Sequence, residues 1–290
     1  MAMEAMLPRL TAQQHLGVAA RLQRGLGMLT RTREIILPRF SPAGLAAETK
    51  SDESPVTEAD RLCELALREM ILAAFATDTV IGEEYGTHEP DATTGGSGFR
   101  WILDPIDGTR AFCRGVPLFG TLIGIEAKTD RGWVPAAGIC DLPALGETVS
   151  AALGTGCWLE RRAADGTAPQ REQCRVSAVT EQARSVAGMT ALQLFTHRRR
   201  TDVTTAMIST FGDVRGWSDC YGYVLVATGR MEAMIDPVMK PWDLSALIPI
   251  VLEAGGLISG WSGDTTSDAG DAIAGNPWGY ERLREIVRER

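Results

Sequence analysis

The feature that most constrains the fold is an apolar strand-like run that leads directly into two aspartates. Trp101 to Leu103 is apolar, and Asp104-Pro105-Ile106-Asp107-Gly108 follows at once. The Pro and Gly turn ends the strand where the acids begin, so two aspartates three residues apart can converge on one point. The turn also frees backbone carbonyls, such as that of Ile106, to act as hard oxygen ligands. The pattern predicts an acidic site at a strand end that suits Mg²⁺.

Two other apolar segments end in acids in the same way. Val80 to Gly82 runs into Glu83 and Glu84, and Pro241-Trp242 places Asp243 where an apolar helix starts. Any one of these acids could be a cap or a solvated side chain, and Asp is strongly favoured at helix N-caps. Lone charges in apolar flanks are costly, so cations shared by the three segments explain them better than coincidence. Strand-end aspartates are common in α/β proteins, and spacing alone leaves both interpretations open.

The charge balance excludes one class of partner. The formal net charge is −8 and the pI is about 5.1. Tight binding of nucleic acid regardless of sequence depends on Lys and Arg that neutralise phosphates, so we expect no nucleic-acid partner. An acidic protein repels an anionic substrate unless the electrostatic potential at its site is positive, and bound divalent cations can make it so.

Cysteine usage and hydropathy indicate the compartment. The six cysteines lie far apart without CxxC pairs, which predicts reduced, buried thiols rather than a zinc or redox site. No run of about 18 apolar residues could span a bilayer, and the N-terminus lacks a signal-peptide pattern. We therefore expect no membrane partner and a cytoplasmic location.

The chain divides into two predicted lobes, residues 1–165 and 166–290. Thr11 to Phe75 has the periodicity of two long helices, joined by a polar stretch from Ala47 to Asp60. The charged segment Arg161 to Gln173 is the candidate boundary. The first lobe is predicted to be α+β, and the alternation of strand-like and helix-like runs in the second predicts an α/β sheet covered by helices. The strand-like runs of the first lobe are Thr79–Gly82, Phe99–Leu103, Thr121–Ala127 and Val134–Cys140.

Four ordered motifs together resemble the inositol monophosphatase family of metal-dependent phosphatases. They are V-T-x-A-D at Val56–Asp60, G-E-E at Gly82–Glu84, D-P-I-D-G-T at Asp104–Thr109, and W-D at Trp242–Asp243 followed by E-A-G-G at Glu253–Gly256. The resemblance spans residues 45 to 280. It implies a layered αβαβα sandwich of the inositol monophosphatase and sugar phosphatase type, and a homodimer.

The resemblance also implies a ligand set and a mechanism. Two or three Mg²⁺ ions, for which Mn²⁺ can substitute, would be held by Glu83, Asp104, the Ile106 carbonyl, Asp107 and Asp243. One ion would lower the pKa of a bound water and another would brace the leaving alkoxide, with no covalent phosphoenzyme.

Residues around the metals have implied roles as well. Thr109, supported by Asp60, would orient and deprotonate the attacking water, which Glu83 also holds through its metal. The amides of Gly108 and Thr109 would cradle the phosphate, with help if a helix begins at Thr109. Thr109 could instead be an N-cap. By the same resemblance, Lys50 and Glu84 would contact the metal ligands or belong to a loop that binds a third metal. Lys50 could instead be a solvent-exposed side chain.

Substrate choice is expected to reside in the second lobe. The run W-S-D-C-Y-G-Y at 217–223, with R-G-V-P-L-F-G at 114–120, resembles the histidinol-phosphate phosphatase branch. Trp217 and Asp219 stand where inositol-specific members are small and neutral, and Asp236 replaces a longer glutamate. A carboxylate at 219 could pair with an ammonium or imidazolium of the substrate. The implied reaction is hydrolysis of histidinol phosphate in histidine biosynthesis, with substrate contacts from Asp107, Gly108, Thr109, Asp219, Asp236 and Asp243, and Trp217 in support.

Several alternatives stay open at this point. Asp219 could cap the next helix with Trp217 in the core, or the substrate could be inositol 1-phosphate or another cyclitol, nucleotide or sugar phosphate. The chain could also be a non-catalytic metal-binding module. His88, His197 and Cys220 lack the partner spacing of a nucleophilic triad. The run Arg198–Arg200 after His197 is interpreted as a solvated helix face, with a dimer surface or substrate gate as alternatives.

Overall fold

Two long helices open the chain, as the periodicity predicts. The computed structural model describes residues 8–44, 48–49, 55–93, 95–162, 168–217 and 219–288. Helix α1 (Ala12–Ile36) begins with a capping box between Thr11 and Gln14. Helix α2 (Glu58–Ala74) begins with a capping box in which Thr57 and Asp60 satisfy each other's backbone N–H groups.

An antiparallel pair of short strands and an eight-stranded sheet follow the first helix. Strand β1 (Glu48–Thr49) pairs with β2 (Pro55–Val56). The large sheet consists of β3 (Thr79–Gly82), β4 (Gly86–His88), β5 (Phe99–Asp107), β6 (Gly120–Thr129), β7 (Gly132–Leu142), β8 (Glu147–Ala152), β9 (Cys157–Arg161) and β10 (Gln170–Gln173). Its order is β10-β9-β8-β7-β6-β5-β3-β4, and only the β3–β5 pairing is parallel. Because these two strands are parallel, their carboxyl ends lie at the same edge of the sheet.

The second sheet has five strands in the order β12-β11-β13-β15-β14. They are β11 (Val186–Gly188), β12 (Asp213–Arg215), β13 (Ala233–Asp236), β14 (Leu257–Ser259) and β15 (Ala272–Gly275). Strand β11 is parallel to both neighbours, whereas β15 is antiparallel to both of its own. The remaining helices are α3 (Thr109–Cys113), α4 (Leu192–His197), α5 (Thr201–Thr210), α6 (Asp219–Ala227), α7 (Pro241–Leu244), α8 (Leu247–Glu253) and α9 (Pro277–Arg288).

The elements stack in five layers, which confirms the αβαβα sandwich. Helices α1 and α2 cover the outer face of the large sheet, α6 and α8 lie between the two sheets, and α5 and α9 cover the far face of the small sheet. The middle layer is tight because a Cβ at Gly138 would lie 1.9 Å from the Ala246 carbonyl oxygen. Only glycine fits there, and α8 therefore packs directly on β7.

Other sequence predictions have mixed outcomes. All six cysteines are buried free thiols, as expected. The boundary at 165/166 lies outside the described residues and stays a prediction. The prediction of a helix face for Arg198–Arg200 is wrong, because α4 ends at His197 and Arg199 has a positive φ of 56° in the turn before α5. Among the described residues, no helix is both long and apolar enough to cross a membrane.

Candidate metal centre and active site

Three aspartates from two distant segments meet at the carboxyl end of β5. Oxygens of Asp104, Asp107 and Asp243 all lie within 4.8 Å of one another. Residues three apart on a regular strand point to opposite faces. Here the β5–β6 register shifts between Asp104 and Asp107, and this irregularity brings both carboxylates to one side.

Asp243 arrives from the start of α7, which packs against β5 and β6. Its Oδ2 accepts the Lys240 N–H at 2.7 Å. Asp243 therefore caps the short helix and also faces the other two aspartates, so the capping and ligand interpretations are both compatible with its position.

The electrostatics of the cluster are unfavourable without a cation. Asp104 is 2% exposed, and its Oδ1 has no hydrogen-bond partner. Burial first, and then repulsion from Glu83 and Asp107, raises the pKa of Asp104 well above its ordinary value. Burial, only partly offset by the Lys240 N–H bond, raises the pKa of Asp243 to about 7. An orphaned oxygen in an all-oxygen donor set fits a hard divalent ion.

Glu83 faces this cluster from the end of β3. Its charge raises the pKa values of Asp60, Asp104 and Asp243, although it is not part of the 4.8 Å group. Its backbone N–H donates to the Leu103 carbonyl at 3.2 Å, which ties the ends of β3 and β5 together.

A buried glutamate that the sequence analysis missed anchors the next two residues. Glu64 of α2 accepts the N–H groups of Glu84 at 2.7 Å and Tyr85 at 3.1 Å, and it pairs with Arg68 at 2.7 Å. The available signal was its position four residues after Asp60, on the same helix face. Glu84 itself is half-buried beside this anchor, and Lys50 lies outside the described residues.

Thr109 and Asp60 meet at the other side of the cluster. The Thr109 hydroxyl donates to the Ile106 carbonyl at 2.9 Å and is 3.5 Å from Asp60 Oδ1. Asp60 Oδ2 accepts from the Thr57 N–H at 2.8 Å and the Thr57 hydroxyl at 2.6 Å. Burial raises the pKa of Asp60, and the Thr57 bonds oppose that rise. The predicted pair is therefore adjacent, and its hydroxyl proton is directed at a predicted ligand carbonyl.

Gly108 forms the sharp turn between β5 and α3. It is the N-cap residue of α3 with a left-handed φ of 82°, so the alternative that Thr109 is the N-cap is wrong. A helix does begin at Thr109, as expected. A Cβ at 108 would lie 3.1 Å from Asp219 Oδ2 and 3.1 Å from the Leu118 carbonyl oxygen. The turn therefore needs glycine for its conformation and for its space.

A cavity of about 80 Å³ opens beside the aspartates. Asp219 begins α6 with a positive φ of 48°, and its N–H donates to the Thr190 hydroxyl at 3.0 Å. The next N–H, of Cys220, donates to Asp107 Oδ2 at 2.5 Å. The cavity walls combine acids with apolar side chains: Asp107, Thr190, Leu194, Asp219, Cys220, Val238, Met239, Asp243 and Leu247.

Two predicted substrate residues lie in different surroundings. Asp236 is 1% exposed, and it accepts the Thr190 N–H at 2.9 Å and the Tyr223 hydroxyl at 3.0 Å. Burial raises its pKa to about 7. Its predicted contact with substrate stays a prediction. Trp217 is 37% exposed, so the alternative that it belongs to the core is wrong.

The fold and the strand-end acid cluster define a class, the phosphomonoester hydrolases built as layered αβαβα sandwiches. A model of the inositol monophosphatase family matches residues 22–290. The chain belongs to that family, and its sequence relatives support the histidinol-phosphatase branch.

Sequence and structural relatives agree on this placement. A histidinol-phosphatase of Chlorobaculum parvum is 37% identical over 91% of the chain and 96% of the relative. One from Mycobacterium tuberculosis is 34% identical over 88% and 93%. An inositol monophosphatase structure from Zymomonas mobilis has a TM-score of 0.74 and 27% identity, covering 96% of this chain and 99% of that one. Another from Thermotoga maritima has a TM-score of 0.75, 24% identity and coverage of 93% and 97%, and shows the shared fold.

Proposed function

We propose that this protein is a Mg²⁺-dependent phosphatase that hydrolyses histidinol phosphate to histidinol and phosphate. The observation that carries the proposal is the aspartate cluster with its unpartnered Asp104 oxygen, two members of which, Asp107 and Asp243, line a cavity with Asp219. A site of this kind provides hard ligands for cations and, a few ångströms away, an anion for a positively charged substrate group.

Five groups would hold the ions: Glu83, Asp104, the Ile106 carbonyl, Asp107 and Asp243. Bound there, Mg²⁺ would neutralise phosphate oxygens and lower the pKa of a water molecule. Two or three ions, Mn²⁺ as a substitute, a homodimer and a cytoplasmic location belong to the same proposal.

The chain's own residues would handle the rest of the reaction. The Thr109 hydroxyl, next to Asp60, would orient the attacking water and pass its proton toward the Asp60 carboxylate. The N–H groups of Gly108 and Thr109 would hold phosphate oxygens at the turn that only glycine can form. Asp219, close to Gly108, would bind the cationic end of the substrate.

Two observations support histidinol phosphate as that substrate. Three relatives named histidinol-phosphatase are 31–37% identical to this chain over most of its length. Histidinol carries an ammonium and an imidazole, both of which can donate hydrogen bonds to a carboxylate, and Asp219 adds such a carboxylate to the cavity.

A second candidate is inositol 1-phosphate, with other cyclitol or sugar phosphates. It is favoured by the 28% identity to an inositol-1-monophosphatase of Rhizobium meliloti over 84% of this chain. Asp219 distinguishes the two candidates, because a neutral cyclitol can form no ion pair with a carboxylate.

The test is a comparison of kcat/KM for histidinol phosphate and inositol 1-phosphate, with Mg²⁺ and after EDTA. Asp219→Asn should lower kcat/KM for histidinol phosphate by about tenfold and leave inositol 1-phosphate within about twofold. Asp130→Asn is the matched control, since Asp130 lies past the far end of β6, eight residues beyond the Asp104 partner Leu122. If the unmodified protein hydrolyses inositol 1-phosphate faster than histidinol phosphate, histidinol phosphate is rejected as the substrate. If it hydrolyses no phosphoester, the alternative of a non-catalytic metal-binding module is favoured.

A further inference from the structure

Asp219 has a left-handed backbone conformation at the start of α6. It is one of two non-glycine residues with positive φ in the described part of the chain, at 48°. Few residues with a Cβ adopt this conformation, Asp more readily than most, and surrounding contacts fix it. Contacts that fix the backbone of Asp219 also fix its Cα–Cβ bond, from which the carboxylate reaches to within 3.1 Å of the place that a Cβ at Gly108 would take.

One of those contacts is the side chain of Thr190. The Thr190 hydroxyl accepts the Asp219 N–H at 3.0 Å. Thr190 follows the carboxyl end of β11 and lines the same cavity as Asp219. It contacts Asp219 across 29 positions of sequence, so the bond joins the strand end to the start of α6.

Thr190 is held in turn by buried groups. Its own N–H donates to Asp236 Oδ1 at 2.9 Å, and Asp236 Oδ2 accepts the Tyr223 hydroxyl at 3.0 Å. Tyr223 is 0% exposed and Asp236 is 1% exposed. The chain of bonds Tyr223–Asp236–Thr190–Asp219 thus runs from the core to the cavity wall, and both Asp236 oxygens are occupied within it.

We infer that Thr190 is a positioning residue for substrate specificity, which fixes the Asp219 carboxylate toward the cationic group of the substrate, with Asp236 acting through Thr190. This inference rests on the proposed function, because it assumes that Asp219 binds that group. Asp236 then contributes to substrate choice through the backbone it holds, without touching the substrate.

The inference predicts an effect on one kind of substrate only. Thr190→Val keeps the shape of the side chain and removes the acceptor of the Asp219 N–H. We expect KM for histidinol phosphate to rise about tenfold with kcat within about twofold, because a contact made equally in the ground and transition states affects binding alone. For glycerol 2-phosphate, which has no cationic group, kcat/KM should stay within about twofold.

Three further variants complete the test. Thr190→Ser retains the hydroxyl and should restore the KM for histidinol phosphate. Thr205→Val is the control, since Thr205 is exposed on α5 and bonds only within its helix. If Thr190→Val fails to fold, Tyr223→Phe removes the bond to Asp236 and should raise the same KM selectively by about threefold.

The outcomes separate this inference from the proposed function. Equal losses on both substrates, or no change in KM for histidinol phosphate, would overturn the role of Thr190. A response to Asp219→Asn combined with no response to Thr190→Val or Tyr223→Phe would remove the inference and leave the proposed function intact. No response to Asp219→Asn would reject the proposed recognition of a cation itself.

Discussion

Two groups of acids in this protein have contrasting surroundings. Along the large sheet and its helices, four of them pair with arginines at 2.6–2.7 Å: Asp78 with Arg21, Asp141 with Arg33, Glu64 with Arg68 and Glu126 with Arg100. At the carboxyl edge, Asp104, Asp107 and Asp243 form no ion pair with any Lys or Arg that the structure describes.

The difference separates acids whose charge the fold compensates from acids that could hold a cation. A buried carboxylate with a fitted arginine has its charge compensated by the fold itself. A buried cluster without one repels itself, as the raised pKa values of Asp104 and Asp107 indicate. The fold concentrates this repulsion at one place in the sheet, where bound divalent cations would compensate it.

The largest expected effect follows from neutralising one acid of the cluster. Asp104→Asn should lower kcat with Mg²⁺ by on the order of a hundredfold to a thousandfold, since it removes an anionic ligand of the proposed Mg²⁺ site and so weakens the neutralisation of the phosphate oxygens. In EDTA its melting temperature should equal or exceed that of the unmodified protein, because one source of repulsion is gone. Phosphate release and thermal denaturation, measured on the same samples, check both statements.

The same substitution at an acid paired with arginine should lower stability and leave the rate unchanged. Asp78 is 0% exposed and accepts from Arg21, Ser97 and Trp101 at 2.6–2.7 Å. Asp78→Asn should lower the free energy of unfolding by about 3 kcal/mol by leaving Arg21 without its counter-charge. The kcat of the folded fraction should stay within about twofold.

Urea denaturation and active-site-normalised rates provide the measurement for Asp78→Asn. Full stability of Asp78→Asn would contradict the contrast between the two groups of acids. So would a loss of stability in Asp104→Asn, measured in EDTA, as large as that in Asp78→Asn.

How far the sequence predicts this contrast depends on the distance between partners. The strand-end acids are recognisable because Asp104 and Asp107 lie three residues apart where an apolar run ends, although β5 continues through both of them to Asp107 and the predicted turn begins only at Gly108. The convergence of Glu83 follows from two parallel strands. The arginine partners are not recognisable, since Arg21 bonds to a residue 57 positions away and Arg33 to one 108 positions away. Local patterns predict elements and their ends, whereas pairing of charges depends on how whole layers pack.

The substrate side of the site was predicted less completely for the same reason. Asp219 is distinguished by its contrast with inositol-specific members, whereas Thr190 and Tyr223 acquire a role only through contacts across the second sheet. Packing alone decides between core and surface for Trp217, which is 37% exposed. Thr57 lies in the V-T-x-A-D motif, but the motif does not predict its two bonds to Asp60.

The smallest expected effect concerns pH and the metal-free protein. Burial raises the pKa values of Asp104 and Asp107, and that of Asp243 to about 7, from ordinary values of 3.8. Between about pH 4 and pH 7 the folded protein then holds protons that the unfolded chain has released, so the free energy of unfolding falls as pH rises through this range. In EDTA the melting temperature should be a few degrees higher at pH 5.5 than at pH 8.

Buried acids with raised pKa values, the cluster together with Asp60 and Asp236, should account for that slope rather than the overall charge. Asp243→Asn should reduce the dependence of melting temperature on pH in EDTA, whereas Asp130→Asn should leave it unchanged. Saturating Mg²⁺ should abolish or reverse the slope in the unmodified protein, because an ion binds the deprotonated carboxylates and competes with protons for them. If the slope of Asp243→Asn in EDTA and that of the unmodified protein in Mg²⁺ both equalled the slope of the unmodified protein in EDTA, the pH dependence would come from other groups. The three aspartates would then not differ from the paired acids in this respect.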